Sequence, residues 1–150
     1  MSAHGLPWCY SDGGRVESGR RGDAGDCVTR SIAIVTGIDY DEVYRYVAAQ
    51  VATAGRSKSA RNGVPKKVTR KLMEHFGGVW TPTMTIGSGT TVHLAQGELP
   101  ETERIVAQVT KHVTAVIYGV VLDTYDPTRE GTRAVYGYWT FPPLARELVA

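Results

Sequence analysis

The chain has 150 residues, of which 42% are hydrophobic and 21% are charged, and its formal net charge is +2. This balance is typical of one globular domain with a real core, and it excludes an intrinsically disordered chain. No window approaches the roughly 18 apolar residues that a membrane span needs, and a charge so near zero names no partner by itself.

The N-terminal 25 residues are rich in Gly, Arg, Asp and Ser, and we expect residues 1–25 to form an irregular arm. They lack the basic segment and apolar segment of a secretory signal, so we expect a cytoplasmic protein. The chain has two cysteines, Cys9 and Cys27. Thiols stay reduced in the cytoplasm, which favours chemistry over a disulfide, although an even cysteine count leaves a disulfide open.

Three helices are predicted in the first half of the chain. The first occupies residues 27–36, with Asp26 as its N-cap and Gly37 as its C-cap. Asp39 is a second N-cap signal, and an apolar face at helical spacing follows it. Pro65 suits the first turn of a third helix, in which apolar residues recur every four positions.

The second half of the chain predicts β-strands. Runs of β-branched and aromatic residues occupy positions 79–86, 105–109, 112–118, 120–125 and 134–141. Helices first and strands afterwards is the order of an α+β fold. We therefore expect residues 1–150 to form one domain, with N-terminal helices packed on a C-terminal antiparallel β-sheet.

Cys27 is the first candidate for chemistry. It is predicted in the first turn of a helix, where free backbone N–H groups and the helix dipole favour an anion. A helix N-terminus lowers the pKa of a thiol, and the thiolate is the nucleophilic form. The same N–H groups can face a developing oxyanion. The alternative is a small buried hydrophobic residue, which is what most free cysteines are.

His112 and Asp123 are predicted to lie on one face of a β-hairpin. A two-residue turn at Tyr118 and Gly119 pairs position 114 with Asp123, and parity on a strand repeats every two residues. Asp123 is then the diagonal neighbour of His112 and can orient its imidazole, as the third member of a catalytic triad does. Asp126 has the opposite parity and precedes a proline, so a turn role suits it better.

These features resemble the papain-like superfamily, and most of all the small bacteriocin-processing-type peptidase domains. Residues 25–31 (GDCVTRS) and 111–116 (KHVTAV) carry the resemblance, which covers roughly residues 25–140. Residues 61–65 (RNGVP) and 135–139 (VYGYW) are similar to uncharacterised phage and prophage proteins. A phage protein of this kind would act in the host cytoplasm.

The resemblance implies a papain-like fold and a thiol hydrolase with a Cys27–His112–Asp123 triad. Such an enzyme is a peptidase, isopeptidase or amidase with a protein or peptide substrate, and it needs neither a cofactor nor a metal. The superfamily usually has a glutamine six residues before the nucleophile as an oxyanion donor, and here that position is Arg21. Arg21 and Asp26 are the auxiliary candidates, and backbone N–H groups of residues 22–25 are an alternative donor.

A second class of function stays open. The third predicted helix carries four cations, which are Lys66, Lys67, Arg70 and Lys71. A run of this kind is usually a solvated helix face, but it can also bind nucleic acid or an acidic partner. The alternative hypothesis is therefore a catalytically silent papain-like fold of phage origin that binds a host protein or nucleic acid through this basic helix.

Overall fold

The computed structural model describes residues 4–20, 26–53, 64–84 and 91–144, and it has an α+β fold. Its helices are α1 (Cys27–Thr36), α2 (Tyr40–Thr53) and α3 (Lys66–His75), and a short 3-10 helix spans Arg129–Gly131. Its strands are β1 (Trp8–Tyr10), β2 (Val79–Pro82), β3 (Val92–His93), β4 (Arg104–Val109), β5 (His112–Ile117), β6 (Val120–Asp123), β7 (Ala134–Val135) and β8 (Gly137–Phe141).

The first helix begins and ends where the sequence predicts, and the second begins directly after its predicted N-cap. Gly37 ends α1 in the left-handed conformation, with φ of 73°, and its N–H donates to the carbonyl of Ala33. Asp39 precedes α2, and its carboxylate accepts the N–H of Asp41 at 3.2 Å. Asp26 stands at the N-cap position of α1 but makes no side-chain cap hydrogen bond. The capping prediction is wrong there, because the Asp26 carboxylate is held by buried cations instead.

Six strands form one sheet in the order β1-β6-β5-β4-β8-β2, and β3 and β7 form a separate pair. The strands from β2 onward in this sheet pair antiparallel, as expected, but β1 from the N-terminal segment pairs with β6 in parallel, so the whole sheet is mixed. The expectation of an irregular arm fails at the same place, because β1 lies within it. The predicted strand over 134–141 is two strands interrupted at Tyr136, because β7 pairs with β3 while β8 pairs with β4 and β2.

The β5–β6 hairpin has the predicted register. Tyr118 and Gly119 form its two-residue turn with φ of 49° and 81°, the left-handed pair typical of tight hairpins. Ile117 pairs with Val120, and the pairing continues two residues further along each strand. Asp123 therefore lies opposite Thr114, two residues after His112, at the open end of the hairpin.

The sheet is buried on both faces. One core lies between the helices and the sheet, and a second core lies on the other face beneath β7. The helix-side core contains Val28, Ile32, Val35, Val43, Val47, Leu72, Met73, Val106, Val113 and Trp139. Within the described residues, no helix is both long enough and apolar enough to cross a membrane. Packing on α1 fixes the direction of that helix, so that its N-terminus meets the open end of the hairpin.

Candidate active site

Cys27 is the first residue of α1, and its side chain is only partly exposed. The first backbone hydrogen bond of the helix runs from the N–H of Arg30 to the carbonyl of Asp26, at 2.9 Å. Among the described residues, nothing accepts the N–H groups of Cys27, Val28 or Thr29. The thiol therefore stands beside the first backbone N–H groups of a helix, which can stabilise negative charge.

His112 and Asp123 are buried together at the open end of the hairpin. The Nε2 atom of His112 lies 2.7 Å from Oδ2 of Asp123. The hydroxyl of Thr114 donates to the same oxygen at 2.7 Å, and the N–H of Thr124 donates to Oδ1 at 2.7 Å. Because Asp123 occupies Nε2, Nδ1 is the ring nitrogen left to face Cys27, and His112 lowers the pKa of that thiol. The structure thus brings the three predicted residues together in the order thiol, imidazole, carboxylate.

The electrostatics of this group favour an ion pair. Burial raises the pKa of the Cys27 thiol, but the hydrogen bond and charge of His112, a backbone hydrogen bond at Val113 and the charge of Arg30 lower it below its ordinary value. Burial lowers the pKa of His112, but its bonds to Asp123 and Cys27 raise it to about 9. The two shifts run in opposite directions, and both favour a thiolate beside an imidazolium over the neutral pair.

Asp123 stays ionised within this group. Burial raises the pKa of its carboxyl, while the hydrogen bonds from His112, Thr114 and the Thr124 N–H lower it below the ordinary value. An ionised, fully hydrogen-bonded carboxylate keeps the proton of His112 on Nε2 and fixes the ring. This contact is the one that the predicted orienting role of Asp123 requires.

Arg30 connects α1, the helix that begins with Cys27, to Asp123. Its Nη2 atom lies 3.3 Å from Oδ1 of Asp123, and its Nη1 atom bonds Oδ1 of Asp26. The other oxygen of Asp26 accepts the hydroxyl of Tyr40 at 2.5 Å and lies 3.5 Å from Nη1 of Arg15. All five side chains belong to one buried charged network. It fixes the distance between α1, which carries Cys27, and β6, which carries Asp123.

This network yields a stability prediction with a matched control. Arg30→Met leaves the carboxylates of Asp26 and Asp123 buried without their shared cation, and we expect a loss of about 3 to 5 kcal/mol in unfolding free energy. Arg45→Met removes the same i,i+4 pairing to Asp41, but on the surface, where Arg45 is 74% exposed. We expect a change of less than about 1 kcal/mol there. Urea unfolding of both variants measures the difference, and equal losses would contradict it.

The auxiliary candidates have separate outcomes. Asp26 is adjacent to Cys27, but its carboxylate bonds Arg30 and Tyr40. Its role is therefore to hold the start of α1 in place. A carboxylate in that position repels an oxyanion, which rules it out as an oxyanion donor. Arg21 and the backbone of residues 22–25 lie outside the described residues. The N–H of Cys27 itself is the donor that the described geometry provides.

Two aromatic residues lie beside His112 and Asp123. The ring of Tyr125 lies against His112, with centroids 5.2 Å apart, and is 44% exposed. The strand parity that puts Asp123 on the face of His112 predicts Tyr125 on the same face. The indole N–H of Trp8 donates to the backbone carbonyl of Asp123 at 3.1 Å. Sequence reasoning missed Trp8, because its position depends on a three-residue parallel pairing with β6.

Comparisons with protein-family models, curated proteins and solved structures found no match to this chain. The chemistry of the site must therefore be argued from its own residues and geometry.

Proposed function

We propose that this protein is a cysteine-dependent acyl hydrolase or acyl transferase that acts on peptide, isopeptide or related amide bonds. The observation that carries the proposal is the grouping of the Cys27 thiol, His112 and the buried carboxylate of Asp123. Asp123 holds Nε2 of His112 at 2.7 Å, and His112 lowers the pKa of Cys27. A half-buried thiol with a lowered pKa, next to an oriented histidine, is an activated nucleophile.

The first half of the reaction forms a thioester. The thiolate of Cys27 attacks the amide carbon, a sulfur–carbon bond forms, and the carbonyl electron pair moves to oxygen. The N–H groups at the start of α1 stabilise that oxyanion, and the backbone N–H of Cys27 is the nearest donor. The carbon–nitrogen bond then breaks while the imidazolium of His112 protonates the leaving amine. The products are a free amine and an acyl group on Cys27.

The second half regenerates the site. A water molecule, or an acceptor amine, attacks the thioester while neutral His112 takes its proton. The carbon–sulfur bond breaks, and the acid or new amide leaves. Cys27 is again a thiolate and His112 an imidazolium, so the cycle balances. Asp123 holds His112 in one orientation through both halves and exchanges no proton with the substrate.

The arrangement of elements supports a papain-like assignment within this proposal. Cys27 begins α1, in the helix layer, whereas His112 begins β5 and Asp123 ends β6, in the sheet layer. The thiol and the imidazole therefore come from different layers. The substrate would then lie where the helix layer and the sheet layer meet. The parallel strand β1 is an addition to that arrangement. It pairs with β6 along the sheet edge, with Tyr10 opposite Asp123.

The direct test is amide cleavage by the wild type and by Cys27→Ala. We expect wild type to cleave members of a mixed synthetic peptide library and to yield an acyl-Cys27 adduct when the reaction is quenched in acid. Cys27→Ala should lose both, by orders of magnitude in rate. Mass spectrometry of products and of the intact protein measures them. Cleavage that persists in Cys27→Ala, or a library untouched by wild type, would contradict the proposal.

A further inference from the structure

A groove of about 550 Å³ lies between α3 and the sheet, separate from the triad. One wall is basic and consists of Lys66, Lys67, Arg70 and Lys71, with Glu74 at its far end. The floor and the other wall are formed by Trp80, Trp139, Tyr136 and Gln108. We call this feature the α3 groove.

The basic wall of the α3 groove is suited to an anion. Its four cations lie at helix positions i, i+1, i+4 and i+5, which share one face. All four are exposed, and none has a carboxylate within ion-pairing distance among the described residues. Like charges at this spacing repel one another. A ligand that brings negative charge relieves this repulsion and forms new ion pairs.

The floor of the groove is aromatic. The rings of Trp80 and Trp139 have centroids 4.5 Å apart at an angle of 51°. Trp80 lies directly over Gly137, where an added Cβ would come within 2.3 Å of the ring. Gly137 therefore lets the indole lie close on β8 and form an apolar surface beneath the cations. Such a floor binds a large apolar side chain of a ligand.

The α3 groove adjoins the turn that precedes His112. Gln108 lines the groove, and its Nε2 donates to the backbone carbonyl of His112 at 3.1 Å. Tyr136 also lines it, and its hydroxyl lies 2.9 Å from that of Thr110, in the turn just before His112. The groove is therefore joined through this turn to the strand that carries His112.

We propose that the α3 groove binds an acidic segment of the peptide substrate that also carries a large apolar or aromatic side chain. This inference rests on the proposed acyl-transfer function and adds its substrate class. A nucleic-acid strand fits the groove less well. A nucleic-acid strand carries a charge at every residue and needs a cationic track along its length, whereas the cations of the groove line one wall only.

The test measures binding apart from chemistry. In the Cys27→Ala background, a fluorescein-labelled short peptide with glutamates around one phenylalanine is titrated by fluorescence anisotropy. A version with glutamines and an oligothymidine serve as comparisons. Lys67→Glu with Lys71→Glu should raise the Kd of the acidic peptide roughly tenfold or more. Arg45→Glu with Arg129→Glu changes the net charge equally, away from the groove, and should change Kd less than about twofold.

Each outcome of this test decides the inference. The inference is supported if affinity for the acidic peptide falls only in the variant with Lys67→Glu and Lys71→Glu. It is also supported if these two substitutions, made in protein that retains Cys27, raise the KM for an acidic substrate and leave kcat unchanged. Equal affinity for the glutamate and glutamine peptides, equal loss in both charge-reversal pairs, or tighter binding of oligothymidine would overturn it. Failure of the acyl-transfer proposal is distinguishable, because it would abolish turnover of acidic and neutral substrates alike and leave the anisotropy result standing.

Discussion

Replacing His112 with asparagine should slow alkylation of Cys27 at pH 6, because the fraction of the thiol that is ionised falls. Burial is the largest influence on the Cys27 thiol and opposes ionisation, while His112 is the largest influence that favours it. Without His112, the pKa of Cys27 should rise to or above the ordinary value near 8.5, at which only a fraction of about 0.3% is thiolate at pH 6. Iodoacetamide labelling followed by peptide mass spectrometry gives the rate.

Two controls accompany this variant. Cys9 is exposed and lies in the same molecule, so its rate reports any general change in labelling. His93→Asn removes another histidine that bonds a carboxylate, with Nδ1 of His93 3.0 Å from Glu98, and His93 lies in the β3–β7 pair rather than in the sheet that carries His112. It should leave the Cys27 rate unchanged. If His112→Asn and His93→Asn label Cys27 equally fast, then His112 does not activate the thiol.

The second large effect is expected for Asp123→Asn, which should lower turnover by at least about a hundredfold. An amide at this position can donate to Nε2 of His112 and invert the tautomer, so that the ring proton lies on Nδ1. The imidazole then cannot accept the proton of the Cys27 thiol. The substitution also removes the carboxylate whose bond raises the pKa of His112, so the imidazolium of the ion pair loses stability. Turnover of the best library peptide, with a thermal melt of each variant, separates chemistry from folding.

Asp126→Asn is the matched control for that substitution. The Oδ1 atom of Asp126 accepts the N–H and the hydroxyl of Thr128, at 2.9 and 2.7 Å, in a local turn. Asparagine keeps an acceptor there, so we expect near wild-type turnover and a stability change within about 1 kcal/mol. If Asp126→Asn abolished turnover in folded protein while Asp123→Asn did not, Asp126 would be the third member of the triad.

Local signals in the sequence were sufficient for much of the fold. Gly37 ends α1 because it tolerates the left-handed conformation, and the apolar period of α1 sets its buried face. The Tyr118–Gly119 turn has the length that fixes a hairpin register, and that register places Asp123 diagonally from His112. The proximity of His112 and Asp123 could therefore be derived before any coordinates.

Long-range pairings could not be predicted in this way. The strand β1 is three residues long, too short for a periodic pattern, and its partner β6 lies more than a hundred residues away. The same holds for Arg30, whose bond to Asp123 spans 93 positions. The sequence shows only that Arg30 follows Asp26 by four residues. That spacing is common on exposed helix surfaces, so it does not predict a buried ion pair. Capping by Asp26 failed because a buried cation outcompetes a cap for the carboxylate.

The pH dependence of alkylation at Cys27, compared with Cys9 in the same molecule, tests the central claim most directly. Exposure alone favours Cys9, since Cys27 is partly buried. An activated thiolate predicts the reverse at pH 6. Cys27 should react faster, with a midpoint below the ordinary thiol value near 8.5, and the ion pair should persist until His112 loses its proton near pH 9. A Cys27 that reacts more slowly than Cys9 from pH 5 to 9, with a midpoint at or above the ordinary value, would contradict the claim.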